Sequence, residues 1–307
     1  MKVGAIDIGT NTVRLLVAER HGGGLFPVWT EDLDRRVVVT RLGQGVDGSG
    51  RLADDAIGRT IEVLAAYGAA LKAWNVDVVD AVATSATRDA ANRDVMLERS
   101  ELALGFRPRV ITGDEEAALT FSGATSAADD GPYAVIDPGG GSTEFVFGLD
   151  QVERAVSVDI GSVRLTERLL PDHPASAAQL TAARLHVDKV MADVPSAPAG
   201  TSVLGVGGTF TSLASVALDL EEYNRQAVHG SVFGVDAFGE LVERIGAMTI
   251  PQIEGIPSLD PARAPVLLGG AIVAARALRT LDVSEVTVSE TDILDGIALQ
   301  ADRPSPV

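Results

Sequence analysis

The sequence predicts an α/β protein of two domains built from a duplicated unit. The chain has 307 residues, more than one hydrophobic core usually absorbs, and 46% of them are hydrophobic. Stretches with strand periodicity alternate with stretches of helical periodicity, which is typical of mixed α/β layers. The segment AIDIGTNTVRLLV at residues 5–17 also aligns without a gap, at an offset of 130, with VIDPGGGSTEFVF at residues 135–147. Such a repeat indicates two copies of one fold.

The first domain is predicted to span residues 1–125. It opens with two strands joined by the tight loop Gly9-Thr10-Asn11. The predicted strands cover residues 2–8, 13–19, 36–42, 76–83 and 109–111. The predicted helices cover residues 54–74, 88–104 and 114–127, the last of which begins with three acidic residues that suit the positive end of a helix dipole.

The second domain is predicted to span residues 126–307. After the repeated segment, further strands are predicted at residues 152–158, 201–206 and 283–288. Helices are predicted at residues 176–192, 208–220, 236–247 and 263–279. A last helix, at about residues 291–303, can pack back on the first domain.

Composition excludes several classes of protein. The net charge of −18 opposes binding to nucleic acid or to an anionic membrane, because the mean field repels polyanions. Without cysteine there is no disulfide, zinc–thiolate site or thiol nucleophile. None of the three lysines follows a glycine, which excludes a phosphate loop ending in Gly-Lys-Ser/Thr. The four histidines lack metal-ligand spacing.

The sequence gives no support for two further catalytic or binding motifs. The segment GQGVDG at residues 43–48 matches a dinucleotide fingerprint only formally, and we interpret it as a connecting loop. No GxSxG elbow occurs.

The longest apolar run, residues 266–275, is too short to span a bilayer, and Arg14 interrupts any secretory signal. A cytoplasmic protein is therefore expected.

The two repeated loops share a chemical pattern. Each has a strand that ends in Asp, then small residues, then a hydroxyl residue that opens the next strand. Successive backbone N–H groups in such a turn can bind an anion, and Asp7 and Asp137 would need Mg²⁺ to tolerate a nearby phosphate. The alternative is a β-hairpin turn in which Asp and Gly serve conformation alone. Two such loops in duplicated halves favour the anion site, since a two-fold arrangement would face them across a cleft.

This loop pair resembles that of the actin, sugar-kinase and heat-shock-chaperone superfamily. In detail the chain resembles the exopolyphosphatase / guanosine pentaphosphate phosphohydrolase (Ppx/GppA) family in its short, two-domain form. The motifs that carry this resemblance are ATSATRDA at 83–90, ITGDEEA at 111–117, GVGGT at 205–209, Arg263, VSE at 288–290 and DG at 295–296. The resemblance implies two ribonuclease H-like (actin-like ATPase) domains and hydrolysis of a terminal phosphoanhydride bond.

The resemblance also implies roles for particular residues. Glu116 would be the catalytic base, with Glu115 as the alternative, and Glu144 would orient water or help to hold the metal. Asp7, Asp137 and Glu144 would hold Mg²⁺, and whether K⁺ assists is left open. The implied phosphate-binding residues are Gly9, Thr10, Asn11, Thr12, Arg14, Gly139, Gly140, Gly141, Ser142, Thr143 and Arg263. Arg88 is either a structural anchor with Asp89 or Asn92, or a phosphate ligand.

The implied substrate is polyphosphate, guanosine pentaphosphate or both, and the implied assembly is a homodimer. The negative charge favours short chains, because no broad basic track is evident to hold a long one. Two other functions stay open: an ATP-dependent small-molecule kinase of the same superfamily, and a non-catalytic sensor of polyphosphate or alarmone.

Overall fold

The computed structural model describes residues 1–23, 26–126 and 131–301. The chain divides into two compact units, Met1–Ala127 with Thr291–Val307, and Ala128–Glu290. The sequence predicted the boundary two residues earlier and allowed for the return of the last helix. The boundary lies at residues 127–130, which are outside the described residues.

The first unit contains a five-stranded sheet in the order β3-β2-β1-β4-β5. Its elements in chain order are β1 (Lys2–Ile8), β2 (Thr12–Gly23), β3 (Phe26–Val39), α1 (Val46–Ser49), α2 (Asp54–Trp74), β4 (Val78–Ala83), α3 (Ser85–Asp89), α4 (Arg93–Leu104), β5 (Arg109–Val110) and α5 (Gly113–Thr125). β1 pairs antiparallel with β2 and parallel with β4.

The second unit contains a six-stranded sheet in the order β10-β11-β9-β6-β7-β8. Its elements are β6 (Tyr133–Pro138), β7 (Thr143–Gly148), β8 (Val152–Val158), α6 (Ser162–Leu169), α7 (Ala177–Val190), β9 (Ser202–Gly205), α8 (Gly207–Ala217), α9 (Arg225–Val228), β10 (Val232–Gly234), α10 (Val235–Gly246), α11 (Ile250–Glu254), the 3₁₀ turn Pro261–Arg263, α12 (Ala264–Thr280) and β11 (Glu285–Val288). The chain then returns to the first unit as α13 (Ile293–Gln300).

The core of the first unit lies on both faces of its sheet, because successive residues of a strand point to opposite faces. Leu15 belongs to the cluster that includes Leu64 and Tyr67 of α2. Leu16 belongs to the cluster that includes Leu119 of α5 and Ile297 of α13. The apolar strand pattern therefore places one layer of helices on each face.

Most predicted elements are confirmed, and α2 has the predicted bounds. The predicted helix at 88–104 is wrong in one respect, because it is two helices, α3 and α4. Between them Ala90 is extended, and the Asn92 side chain bonds both the N–H and the carbonyl of Leu52 at 2.8 and 2.9 Å. The Ala91 N–H also donates to the Gly50 carbonyl at 2.9 Å, so tertiary contacts replace helical ones between α3 and α4. The third strand begins and ends earlier than predicted, at Phe26 and Val39. The elements that were not predicted are α1, α6, α9, β10 and α11.

One helical stretch of the described residues, Pro261–Thr280, is long and apolar enough to cross a membrane. This corrects the expectation drawn from the short apolar run, because the helix continues past Arg276. However, 67% of the apolar 18-residue segment of this stretch is buried inside the structure. The core helix of a soluble protein can be equally long and apolar. The stretch is therefore weak support for a membrane span.

Candidate active site

The two repeated loops are the same turn in the structure. The Gly9 N–H donates to the Thr12 carbonyl at 2.9 Å, and the Gly139 N–H donates to the Ser142 carbonyl at 3.0 Å. Both are hairpin turns, so the conformational alternative describes their backbone correctly. A Cβ on either glycine would crowd the same carbonyl, at 3.1 and 3.2 Å respectively. The offset of 130 in the sequence is thus an equivalence of backbone geometry.

The first loop is supported by the segment that follows β3. The Thr10 carbonyl accepts from the Gly43 N–H at 2.8 Å, and the Asn11 carbonyl accepts from the N–H groups of Thr40 and Arg41 at 3.0 and 2.9 Å. A Cβ on Gly43 would lie 2.3 Å from the Thr10 side chain. Residues 40–43, which follow β3, therefore hold the turn in place. For residues 43–48 the sequence alone predicted only a connecting loop.

The second loop is supported by α6, which begins at Ser162. The Ser162 N–H donates to the Gly139 carbonyl at 2.9 Å, and those of Val163 and Arg164 donate to the Gly140 carbonyl at 2.9 and 3.1 Å. A Cβ on the preceding residue, Gly161, would lie 2.5 Å from Gly140. The start of α6 is thus capped by the loop itself, a tertiary contact that no local pattern indicates.

Two of the predicted phosphate ligands are deeply buried in the second loop. Ser142 is 2% exposed and Thr143 is fully buried. The Thr143 hydroxyl donates to the Ile160 carbonyl at 2.6 Å, so this donor already has a backbone acceptor. In the first loop Thr10 and Asn11 are each 8% exposed, and Asn11 Oδ1 is buried without a hydrogen-bond partner.

Asp7 is held by a carboxylate–guanidinium pair that crosses two strands. Asp7 and Arg14 are partners in the β1–β2 register. Arg14 Nε and Nη2 both donate to Asp7 Oδ2, at 2.9 and 2.8 Å. Arg14 Nη1 also donates to Asp292 Oδ2, a contact that the sequence did not predict. Burial raises the pKa of Asp7 above its ordinary value even though Arg14 lowers it.

Glu116 and Glu115 differ sharply in environment. Glu116 Oε2 accepts from Arg88 Nη1 at 3.0 Å, and its side chain is 13% exposed. Burial raises the pKa of Glu116 to about 7, against the lowering effect of Arg88. Glu115 is 43% exposed and pairs with Arg109. The structure therefore separates two neighbouring carboxylates that the sequence left as alternatives.

Arg88 reaches α5 from the short helix that follows β4. Arg88 donates to Glu116 on α5. It also donates, at 3.2 Å, to the carbonyl of Ile111, which lies just before α5. Asn92, one of the anchors considered for it, bonds Leu52 instead. Arg88 thus orients one oxygen of Glu116, while Oε1 accepts no hydrogen bond from the described residues.

In the second unit, two carboxylate residues lie opposite each other. Asp137 and Glu144 are partners in the β6–β7 register, at the positions of Asp7 and Arg14 in the first unit. Glu144 is 2% exposed, and its Oε1 accepts from the Ser157 hydroxyl at 2.9 Å. Residues opposite each other in a ladder have Cβ atoms about 5 Å apart, and like charges there are destabilising.

Two consecutive glycines lie against Asp137 and Arg263, respectively. Gly207 has φ of +75°, and a Cβ there would lie 2.4 Å from Asp137 Oδ1. A Cβ on Gly208 would lie 2.4 Å from Arg263 Nη1. The Gly-Gly step at the start of α8 therefore lets a carboxylate and a guanidinium approach the same turn, which gives the GVGGT motif a structural reason.

Within the described residues, no group of three His, Asp or Glu side chains could hold a metal ion. Each unit nevertheless carries predicted metal ligands whose chemistry suits a partly hydrated cation. Asp7 Oδ1 is buried and has no hydrogen-bond partner, and Asp137 lies opposite Glu144 in the second sheet. Mg²⁺ usually keeps several waters and takes only one or two protein carboxylates at a site.

A model of the Ppx/GppA phosphatase family matches residues 16–301. The chain belongs to the Ppx/GppA phosphatase family. The resemblance seen in its motifs is therefore confirmed, and with it the predicted fold class of duplicated actin-like α/β domains.

The relatives of this family member match along nearly its whole length. It is 42% identical over 314 residues to Exopolyphosphatase 2 of Mycobacterium tuberculosis, with 97% of this chain and 98% of that protein covered. A crystal structure of an exopolyphosphatase-like protein has a TM-score of 0.91 at 35% identity, covering 98% of both chains. The PPX-GPPA enzyme of Aquifex aeolicus has a TM-score of 0.80 at 30% identity, covering 97% of this chain and 99% of that one.

Proposed function

We propose that this Ppx/GppA family member hydrolyses a terminal phosphoanhydride bond of inorganic polyphosphate, guanosine pentaphosphate or both, and releases orthophosphate. The observation that carries the proposal is the environment of Glu116, a buried carboxylate held through one oxygen by Arg88. The pKa of about 7 puts this group where a general base works best at neutral pH.

In the proposed reaction, Glu116 takes a proton from water. Arg88 occupies Oε2 and so leaves Oε1 to accept the hydrogen bond from that water. The water oxygen forms a bond to the terminal phosphorus, and the anhydride P–O bond opposite it breaks. The products are orthophosphate and a chain or nucleotide shortened by one phosphate. Such a transfer needs mainly positioning and charge neutralisation.

The phosphates would be bound by the backbone of the two turns and by guanidinium groups. The N–H groups of residues 9–12 and 139–143 are the proposed donors, because consecutive N–H groups in a turn form an anion site. Arg14 lies at the first turn, and Arg263 packs against Gly208 beside Asp137. A guanidinium matches two phosphate oxygens at once.

We propose that the cofactor is Mg²⁺, held by Asp7, Asp137 and Glu144, with K⁺ as a further cation to be tested. The support is the unpartnered oxygen of Asp7 and the opposed pair Asp137 and Glu144. A bound divalent cation would neutralise charge on the phosphate oxygens. Two carboxylates 4 Å apart repel by about 4 kcal/mol at an effective dielectric of 20, so a cation also relieves the pair. Glu144 would orient the water or help to hold the metal.

The substrate proposal follows the names of the relatives and the charge of the chain. A 42% identical relative is named an exopolyphosphatase, and a related structure is named a PPX-GPPA enzyme. The net charge of −18 favours short polyphosphates or a nucleotide, because only the local site attracts the substrate. The expected homodimer and cytoplasmic location stay predictions.

The test is an orthophosphate-release assay on the purified protein with Mg²⁺ and no acceptor. Short polyphosphate, long polyphosphate, guanosine pentaphosphate and ATP are compared in parallel. Release from either of the first two or from guanosine pentaphosphate supports the proposal. ADP formed from ATP only when an acceptor is present would indicate a kinase instead. Saturable binding of polyphosphate by calorimetry with no turnover over hours would indicate a sensor.

A further inference from the structure

We infer that Asp292 is a positioning residue that holds the Arg14 guanidinium beside the first phosphate turn. The inference rests on the proposed role of Arg14 as a phosphate ligand. The Arg14 guanidinium is hydrogen-bonded to two carboxylates: Nε and Nη2 donate to Asp7, and Nη1 donates to Asp292. Its side chain is 13% exposed. A planar guanidinium fixed by two carboxylates keeps one orientation, whereas one fixed by Asp7 alone could turn about that contact.

Asp292 is itself fixed by the start of the last helix. Its Oδ1 accepts from the Leu294 N–H at 3.0 Å, and its own N–H donates to Asp295 Oδ2 at 2.9 Å. Asp295 Oδ1 in turn accepts from Arg35 Nη2 at 2.5 Å. This reciprocal cap leaves Asp292 Oδ2 directed at Arg14. The carboxylate therefore has little freedom to follow Arg14 if that side chain moves.

The position of Asp292 is also tied to the helix that carries Glu116. A Cβ on Gly123 of α5 would lie 1.8 Å from the Asp292 carbonyl oxygen, and a Cβ on Gly296 of α13 would lie 1.9 Å from the Leu119 carbonyl oxygen. Gly123 thus faces the backbone at the start of α13, and Gly296 faces the backbone of α5, so the two helices are in backbone contact. Asp292 consequently sets Arg14 relative to the same helix that sets the proposed base.

The negative charge of Asp292 is the feature that capping does not require. Asn and Ser cap helices about as well as Asp does, so a cap alone would be served by either. Asp292 is 5% exposed and lies near Asp7, and a buried carboxylate there is unfavourable unless it is paired. Its pair is Arg14. Asp292→Asn and Asp292→Ser therefore keep the helix cap and remove the ion pair between Asp292 and Arg14.

The activity test uses orthophosphate release from tripolyphosphate. We expect Asp292→Asn and Asp292→Ser each to lower kcat/KM about 10-fold, mainly through a higher KM. In an Arg14→Gln background, Asp292→Asn should change kcat/KM less than about 2-fold, because its effect passes through Arg14. The matched control is Asp188→Asn, which breaks an Asp–Arg pair with Arg276 in the other unit and should leave kcat/KM unchanged. Independent, additive effects of the two substitutions would overturn the inference.

A second readout does not depend on activity. The Nη1–H NMR signal of Arg14, which reports the contact with Asp292 and is assigned by its loss in Arg14→Gln, should be sharp and exchange slowly in the wild-type protein. It should broaden in Asp292→Asn and stay sharp in Asp188→Asn. An unchanged signal in Asp292→Asn would refute the positioning role. If the wild-type protein releases no orthophosphate, the proposed function fails, and the NMR comparison still decides this inference.

Discussion

Arg14 and Glu144 occupy equivalent positions in the duplicated hairpins, each opposite an aspartate that is the penultimate residue of the preceding strand. In the first unit this position carries a guanidinium that neutralises Asp7 within the protein. In the second unit it carries a carboxylate opposite Asp137. The duplicated scaffold has thus kept its backbone pairing and reversed the charge at one position.

We expect Glu116→Gln to lower kcat at least 10²-fold, because it removes the proposed base and keeps the shape of the side chain. The matched control is the neighbouring Glu115→Gln, whose carboxylate is exposed and pairs with Arg109. That variant should stay within about 2-fold of the wild-type protein. Steady-state orthophosphate release measures both. Full activity in Glu116→Gln would eliminate this base.

The stability of Glu116→Gln relative to the wild-type protein should rise with pH. The folded-state pKa of Glu116, about 7, lies above its ordinary value of 4.5, so folding favours the protonated acid. This stabilisation is present below pH 4.5 and is lost as the pH rises through 7, on the order of 3 kcal/mol in total. Gln stays neutral throughout.

Urea denaturation of both proteins at pH 5 and pH 8 measures the difference in free energy of unfolding. The difference should favour Glu116→Gln more at pH 8 than at pH 5. A pH-independent difference would show that the carboxyl is not perturbed by burial.

Mg²⁺ should stabilise the wild-type protein more than Glu144→Gln. Without a divalent cation, Glu144→Gln should have the higher Tm, because it removes one of two opposed carboxylates. A ligand that binds only the folded state raises Tm. Adding about 5 mM Mg²⁺ should therefore raise the Tm of the wild-type protein by more than that of Glu144→Gln. Thermal unfolding with Mg²⁺ and with chelator tests this. Equal shifts in both proteins would argue against Glu144 as a metal ligand.

Orthophosphate release from short polyphosphate should increase at moderate salt and exceed that from long chains at low salt. The reason is that the net charge of −18 repels a polyanion beyond the local site, and salt screens this repulsion over about 10 Å at 0.1 M. Rates are measured from about 20 mM to about 200 mM KCl, over which the Debye length falls from roughly 20 Å to roughly 7 Å. The same series in NaCl controls for an effect of K⁺ itself. A preference for long chains at low salt would contradict it.

Two glycine-to-alanine substitutions should have opposite effects on stability. Gly123→Ala places a Cβ 1.8 Å from the Asp292 carbonyl oxygen, and such overpacking costs about 1–3 kcal/mol or more. Gly58→Ala on α2 meets nothing within 4 Å and should stabilise the helix by about 0.5–1 kcal/mol. Denaturant unfolding compares them. A neutral Gly123→Ala would mean that α5 and α13 can separate freely.

Local sequence patterns were enough for most of the longer elements and for the two turns. Helix α2 could be delimited because its apolar residues recur at helical spacing over 21 residues. The turns could be paired because the repeat preserves Asp, Gly and hydroxyl residues at a constant offset. The predicted helix at 88–104 failed because Asn92 bonds Leu52, a residue 40 positions away that no local window contains.

What the sequence by itself determined is the duplicated α/β architecture, the family and the set of residue types at the turns, since these follow from periodicity, repetition and motif. Only the tertiary structure decided which of Glu115 and Glu116 is buried, which partner Arg88 takes, and that Asp292 contacts Arg14 across 278 positions of the chain. The physical reason is that burial and ion pairing depend on which distant segments share a layer. The cost of burying a charge, unlike helical spacing, leaves no periodic signal in the chain.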